Sequence, residues 1–298
     1  MLLIGGMVSC KNDIGLDTTA VAILDSNKID ILTYATSEKL KGTMTASGLY
    51  YALNKPGTSA VTPAYGQELE FTYTLYLLKG PSNTTAVTGV TDQFIDSTKT
   101  PVFYPFFAHS LPPGLEEGFL RMHEGDQVIL LIPSALAFGN VATVTPAIPA
   151  NSPVRYDLTL NRTRTEDQQI DDYIAANKLS VTEKTSTGLR FIKTKSVDST
   201  TKFPTAAQTL TIKYKGKLLR TASAFDSTGN GIYSTTLGKS AIAGFNEGLA
   251  KLKQGEKATL IFPSGQGYKE TGTTNSKGEY IIPPYAPLRF DIELISAQ

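Results

Sequence analysis

The feature that most restricts this chain is that its pattern is written twice. The stretch TMTASGLY at 43–50 returns as EKTSTGLR at 183–190, and LEFTYTLYLL at 69–78 returns as LTIKYKGKLL at 210–219. GLEEGFLRMHEGD at 114–126 is echoed by GFNEGLAKLKQGE at 244–256, and VRYDLTL at 154–160 by LRFDIEL at 288–294. The order is kept, and the offset stays near ~140 residues, about one domain and far too long for a solenoid repeat. The 298 residues therefore divide into a leading segment at 1–27, a first domain at 28–165 and a second at 166–298.

Both copies share one grammar. A short helical stretch leads, at 29–40 and at 168–178, where Ile170, Tyr173 and Ile174 fall on one face. Strands follow. Leu210, Ile212 and Tyr214 alternate with polar residues, as do Leu288, Phe290, Ile292 and Leu294, and in the first copy Val154, Tyr156, Leu158 and Leu160. One brief helix interrupts them. It carries Phe245, Leu249 and Leu252 in the second copy and Leu115, Phe119 and Met122 in the first, with Gly255 and Gly125 as its expected stops and Pro112 and Pro113 as a start. Strands adjacent in sequence plus one short helix predict an α+β fold, an antiparallel sheet curled around that helix.

Several function classes lose support at this point. With 28 basic and 27 acidic residues, the chain lacks the positive excess that nucleic acid binding needs. A single cysteine, Cys10, rules out an internal disulfide or a thiolate metal cluster, and His109 and His123 are the only histidines. Neither a nucleophile elbow nor a Walker-type phosphate loop is present. No run of apolar residues is long enough for a spanning helix. Cys10 has a more specific context: Leu2 to Val8 are apolar or glycine, Ser9 is small, and Lys11, Asn12 and Asp13 turn the chain polar. That order resembles a bacterial lipoprotein signal. It predicts lipidation at Cys10 and anchoring to an envelope membrane that faces the periplasm or the exterior.

The second copy resembles the FKBP family of macrolide-binding peptidyl-prolyl cis–trans isomerases. The segments that carry the likeness, in order, are YKGKLL at 214–219, AFDSTG at 224–229, TLGKSAIAGFNEGL at 236–249, GEKATLIFPS at 255–264 and YIIPPYAPLRFDIEL at 280–294. The resemblance implies two tandem FKBP-like domains. It also implies a catalytic set of Tyr214, Phe225, Asp226, Tyr268 and Phe290, with Tyr233, Ala241, Ile242, Phe245 and Ile282 binding the substrate. Phe245 stands where the family commonly has Trp, Tyr233 where Phe is usual, Ala241 where Val is usual, and Lys269 where Gly usually follows the tyrosine. In the first copy the weaker counterparts are Tyr73, Asp96, Leu115, Phe138, Ile148 and Tyr156. There Phe138 lacks the hydroxyl, Ile95 replaces Phe, Leu75 replaces Gly, and residues 80–93 form a Ser/Thr-rich insertion.

Such a residue set suits one kind of chemistry. Rotating an Xaa–Pro amide breaks its resonance at a cost of ~20 kcal/mol, and no bond is made or cut. No cofactor is then expected. A dry aromatic hollow favours the twisted, less dipolar amide and grips the proline ring, so catalysis is differential binding. The expected partners are proline-containing polypeptides of the envelope, with macrolides as possible inhibitors. Two rival readings are a non-catalytic peptide-binding or chaperone lipoprotein, suggested by the aromatic and Pro-rich PVFYPFFAHSLPP at 101–113, and a structural lipoprotein reusing the fold.

Overall fold

The computed structural model describes residues 18–79, 91–197, 200–240 and 242–298. Cys10 and its flanks, Ala241, and residues 80–90 of the insertion lie outside them. Contacts divide the chain into two compact units: residues up to Tyr65 with Leu69–Thr163, and Gly66–Glu68 with Arg164–Gln298.

The first unit runs α1 (Thr18–Ser37), β1 (Thr43–Met44), β2 (Tyr50–Lys55), β3 (Gln67–Lys79), β4 (Thr91–Ser97), β5 (Val102–Phe106), α2 (Pro113–Phe119), β6 (Gln127–Ile132), β7 (Thr143–Val144), β8 (Ala147–Ile148) and β9 (Val154–Arg164). The second runs α3 (Glu166–Ala176), β10 (Glu183–Lys184), β11 (Arg190–Lys195), β12 (Thr209–Leu218), β13 (Asp226–Ser227), β14 (Tyr233–Thr236), α4 (Ala243–Ala250), β15 (Lys257–Phe262), β16 (Thr273–Thr274), β17 (Tyr280–Ile282) and β18 (Leu288–Ala297). The sheet orders match: β1-β2-β6-β9-β3-β4 with β5 on β3, and β10-β11-β15-β18-β12-β13 with β14 on β12. The paired strands are antiparallel, as in Tyr214↔Ile292 and Gly216↔Phe290. The duplication in sequence is thus a duplication in topology, and the α+β expectation holds.

Alternation along the strands sorts side chains onto two faces. On the inner face, Leu210, Ile212, Leu260, Phe262, Phe290 and Leu294 pack with Phe245, Leu249 and Leu252 into the core of the second unit. The short helix sits unusually close to the sheet, for a reason visible in its glycines. A Cβ at Gly248 would lie 2.1 Å from Leu260, and one at Gly244 would lie 2.6 Å from the Phe262 ring. Gly118 and Gly114 bear the same relation to Leu130 and Ile132, at 2.3 Å each.

The outer face is not bare, since the leading helix covers it. Ile170 packs on Ile192 and Ile261 in the second unit, and Ile31, Tyr34 and Ala35 pack on Tyr50, Ala52 and Leu131 in the first. Each helix is pinned by a tyrosine hydroxyl that accepts from an arginine: Tyr34 from Arg155, and Tyr173 from Arg289. Each arginine also donates to the carboxylate two residues on, Asp157 at 2.6 Å and Asp291 at 2.8 Å. Both units therefore have helix, sheet and helix layers.

Two local expectations are corrected. Helix α1 is already formed at Thr18, the first described residue and about ten residues before the sequence pattern places it, and no proline or glycine interrupts residues 18–37. Gly125 and Gly255 do not end the short helices, which stop at Phe119 and Ala250. They sit at φ +88° and +86° in the following turns, donating to the Leu160 and Leu294 carbonyls at 2.7 Å each. Met122 and Leu252 lie past the helices yet stay fully buried. Among the described residues no helix is long and apolar enough to cross a membrane.

Candidate functional site

Five rings meet at one end of the second unit's sheet. Tyr214 on β12 points inward between outward-facing Lys213 and Lys215. Its ring lies 5.6 Å from Phe245 on α4 and 6.2 Å from Phe290 on β18. Phe245 and Phe290 are 5.1 Å apart, edge to face. Phe225, just before β13, stands 5.6 Å from Phe290 at 84°, and Tyr233 stands 5.8 Å from Tyr214 at 77°. Edge-to-face contacts of this kind suit the ring quadrupoles. Phe245, Phe290 and Ile282 are buried, whereas Tyr214, Phe225, Ile242 and Tyr268 are only partly so, which makes them a wall around a greasy floor.

Gly216 makes the wall possible. A Cβ there would come within 2.7 Å of both the Phe225 and the Phe290 ring. At the rim, the Tyr214 hydroxyl donates to exposed Asp226 at 2.7 Å. Burial, that hydrogen bond and the carboxylate charge together hold the Tyr214 phenol well above its usual range, so it stays a neutral donor. Burial and the Asp226 charge raise the Tyr268 phenol as well. Among the described residues the Tyr268 hydroxyl has no hydrogen-bond partner, which leaves it open to an incoming carbonyl. A shallow groove of about 420 Å³ on the same sheet is lined by Tyr214 together with Lys213, Lys215, Arg289, Asp291 and Ile292.

The sequence-predicted residues of the second unit are thus gathered in one place, apart from Ala241, which lies outside the described residues. The first unit keeps the outline and changes the lining. The Tyr73 hydroxyl donates to Asp96 at 2.8 Å, in the manner of Tyr214 and Asp226. However, Tyr73 is buried where Tyr214 is only partly so, while Tyr156, opposite it at 5.8 Å, Leu115 and Ile148 are as buried as Phe290, Phe245 and Ile282. Leu75 occupies the register position of Gly216, opposite Asp96 as Gly216 is opposite Asp226, and its side chain is buried. The smaller Ile95 replaces the Phe225 ring. Tyr104 and Phe106 from β5 are buried in the same core, and the Tyr104 hydroxyl donates to the Ser110 carbonyl. The Ile148 N–H is already taken by the Thr143 hydroxyl at 3.2 Å.

Sequence reasoning missed Glu166. It lies outside the segments that carry the family likeness, at the start of α3, and accepts hydrogen bonds from both the N–H and the hydroxyl of Ser264. The capping signal Thr165…Gln168 marks the helix start, but nothing in the linear pattern points it at a residue 98 positions away.

A curled antiparallel sheet over one short helix, with aromatic side chains gathered between them, defines the class of protein to which each unit belongs. The family "FKBP-type peptidyl-prolyl cis-trans isomerase" matches residues 60–161 and 200–295, so the chain belongs to that family, with two copies of its domain. Among curated proteins, a probable FKBP-type peptidyl-prolyl cis-trans isomerase FkpA of Neisseria meningitidis is 35% identical over 112 residues, 37% of this chain and 38% of that one. FK506-binding protein 1B of Neurospora crassa is 40% identical over 103 residues, 32% of this chain and 87% of that one. The macrophage infectivity potentiator of Trypanosoma cruzi is 37% identical over 86 residues, 28% of this chain and 41% of that one. The match thus spans well under half the length of the first and third of these relatives.

Proposed function

We propose that this chain is a peptidyl-prolyl cis–trans isomerase that works mainly through its second domain, on proline-containing segments of envelope or secreted proteins. The observation that supports this reading is the gathering of the rings: Tyr214, Phe225, Phe245 and Phe290 meet in one place with Tyr214 and Phe225 only partly buried, and among the described residues the Tyr268 hydroxyl beside them has no hydrogen-bond partner. The proline ring rests on Phe245 and Phe290, between Tyr214 and Ile282. Removing water there penalises the planar, dipolar amide more than the twisted one, and this difference lowers the barrier. Tyr268 and the Ile282 N–H hold the flanking carbonyls. Asp226 orients Tyr214 and carries no proton in the step. The hollow also suits a macrolide, which competes with the peptide.

The test is a protease-coupled prolyl tetrapeptide assay on the whole chain. Asp226→Ala and Tyr268→Phe each remove one hydrogen bond at the cleft and should lower kcat/KM by about tenfold, with thermal unfolding nearly unchanged. An unaccelerated wild-type rate refutes the isomerase reading, and unaltered variants refute the placement of the cleft.

One observation favours a supporting role for the first domain: Phe103 is 39% exposed in the Pro-rich stretch at 101–113. In this reading the first domain binds extended apolar chain without turning it over. Attachment to an envelope membrane through lipidated Cys10 belongs to the same proposal and rests on the order of residues 2–13. Metabolic labelling with a fatty acid tests it, and equal labelling of Cys10→Ala would refute it.

A further inference from the structure

Ser264 is the hinge on which Tyr268 hangs. It closes the Pro263 corner after β15 and opens a 3-10 turn, Ser264–Gln266. Its carbonyl accepts from the N–H groups of Gly267 at 2.7 Å and Lys269 at 2.8 Å, the two amides that bracket Tyr268. Wherever Ser264 sits, the Tyr268 backbone follows. The far side of this stretch is tied by Tyr285, whose N–H donates to the Lys269 carbonyl at 2.9 Å.

Both donors of Ser264 are spent on one carboxylate. Its N–H donates to Glu166 Oε2 and its hydroxyl to Oε1, the latter at 2.7 Å, and Ser264 is only 4% exposed. Glu166 is itself well fixed. It is the first residue of α3, after the Thr165 cap, where the helix dipole favours an anion. Behind it, α3 is held to the sheet by Ile170 and by Arg190, which donates to Asp167 at 2.6 Å and Asp171 at 2.9 Å. Burial nevertheless pushes the Glu166 carboxyl above its usual range, against the pull of the Ser264 bonds.

The first domain has the same clamp in neutral form. Asn27 of α1 is 3% exposed, and its Oδ1 accepts from the Ser134 N–H at 2.8 Å. The Ser134 carbonyl accepts from the Gly139 N–H at 2.7 Å, next to Phe138. A leading helix that grips this turn is therefore built into both copies, while only the second copy hangs a hydroxyl from it.

We infer that Glu166 is a positioning residue of the isomerase: from helix α3 it fixes the Ser264 turn and so holds the Tyr268 hydroxyl at the cleft. This rests on the assignment of the cleft as the site of prolyl isomerisation. Because Asn27 does the matching work without charge, an amide at 166 suffices.

The experiment measures kcat/KM for a prolyl tetrapeptide on the whole chain carrying Glu166→Ala, Glu166→Gln, Tyr268→Phe and the Glu166→Ala/Tyr268→Phe pair. Glu166→Ala should lose about tenfold and Glu166→Gln no more than about twofold, since one retained acceptor still fixes the turn. The double variant should be no slower than Tyr268→Phe alone, because residues acting through one group are not additive. Independent, multiplying losses overturn the inference, as does a folded Glu166→Ala with the wild-type rate. An inactive wild type, or a Tyr268→Phe as fast as wild type, instead brings down the reading of the cleft on which the inference stands. If Glu166→Ala unfolds, Ser264→Ala removes one of the two bonds without touching α3. It should then show a smaller loss that disappears in the Tyr268→Phe background, and a loss that persists there counts against Glu166.

Discussion

Gly216→Ala is the smallest change that should move the second domain's cleft toward the first domain's lining, where Leu75 holds the matching position. The new methyl carbon would lie 2.7 Å from Phe225 Cζ, 2.7 Å from Phe290 Cε1 and 2.8 Å from Phe225 Cε2. Comfortable carbon–carbon contact begins near 3.5 Å, so one or both rings must withdraw by roughly 0.8 Å. Phe290 cannot readily do so, because Phe262 stacks behind it at 5.8 Å and 10°, and Phe245 lies 5.1 Å away. Phe225 is only partly buried and gives way, so one wall of the cleft swings out. Overpacking of this kind costs about 1–3 kcal/mol of stability, and a wall displaced by nearly 1 Å costs on the order of 10–100-fold in kcat/KM. The prolyl-peptide assay and a denaturant titration on the same preparation separate the two effects. A kcat/KM within twofold of wild type, in a variant whose melt shows a single cooperative transition, would refute the idea that Gly216 sets the Phe225 wall.

Removing the two sides of the α3 anchor should have unequal effects. Arg190 is 1% exposed, while the Asp167 and Asp171 side chains that pair with it are 60% and 59% exposed. Arg190→Met frees two carboxylates that water can reach and should cost about 1 kcal/mol or less, but Asp167→Asn with Asp171→Asn strands a buried cation and should cost about 3–5 kcal/mol. Urea unfolding decides, and equal losses would refute the asymmetry. Glu256 gives a pH dependence: although burial pushes its carboxyl up, the Lys253 N–H and the Lys193 ammonium, at 2.9 Å, prevail and hold it below the usual range. Its folded value is depressed, so its contribution is present above the unfolded carboxylate value and is lost as pH falls through the folded one. Glu256→Gln should flatten the stability profile in that acidic window, and a profile parallel to wild type would count against the assignment.

How much of this was legible in the sequence depends on whether a feature is local. The strands followed from period-two alternation, as in Leu210, Ile212 and Tyr214, because one face of each strand must be dry. The gathering of Tyr214, Phe225, Phe245, Tyr268 and Phe290 came through family resemblance, since no spacing rule joins residues on five separate elements. Three features escaped. The helical state of residues 18–28 of α1 carries no local signal beyond the absence of breakers. The glycines Gly125 and Gly255 read as helix stops because positive φ is equally useful a turn later. Glu166 looked like one acid among several in a first helical turn, and only the register of β15 against α3 reveals its partner.

Comparing the two domains separates what the fold requires from what the cleft requires. The glycine pairs Gly114/Gly118 and Gly244/Gly248 match, as do the anchors Tyr34–Arg155–Asp157 and Tyr173–Arg289–Asp291, and an acceptor reaches the turn serine in both. Every one of these contacts closes a layer against its neighbour, so neither copy can lose it without a cavity, a clash or an unpaired buried group. The differences fall on the walls of the hollow: Leu75 for Gly216, Ile95 for Phe225, Leu115 for Phe245, Phe138 for Tyr268 and Tyr156 for Phe290. The first domain shows that this topology also closes its core with those choices. The aromatic lining of the second is therefore not something the fold imposes. Tyr214 forgoes burial that Tyr73 achieves, and in the proposed reading enclosing an outside ring is the return that makes sense of that loss.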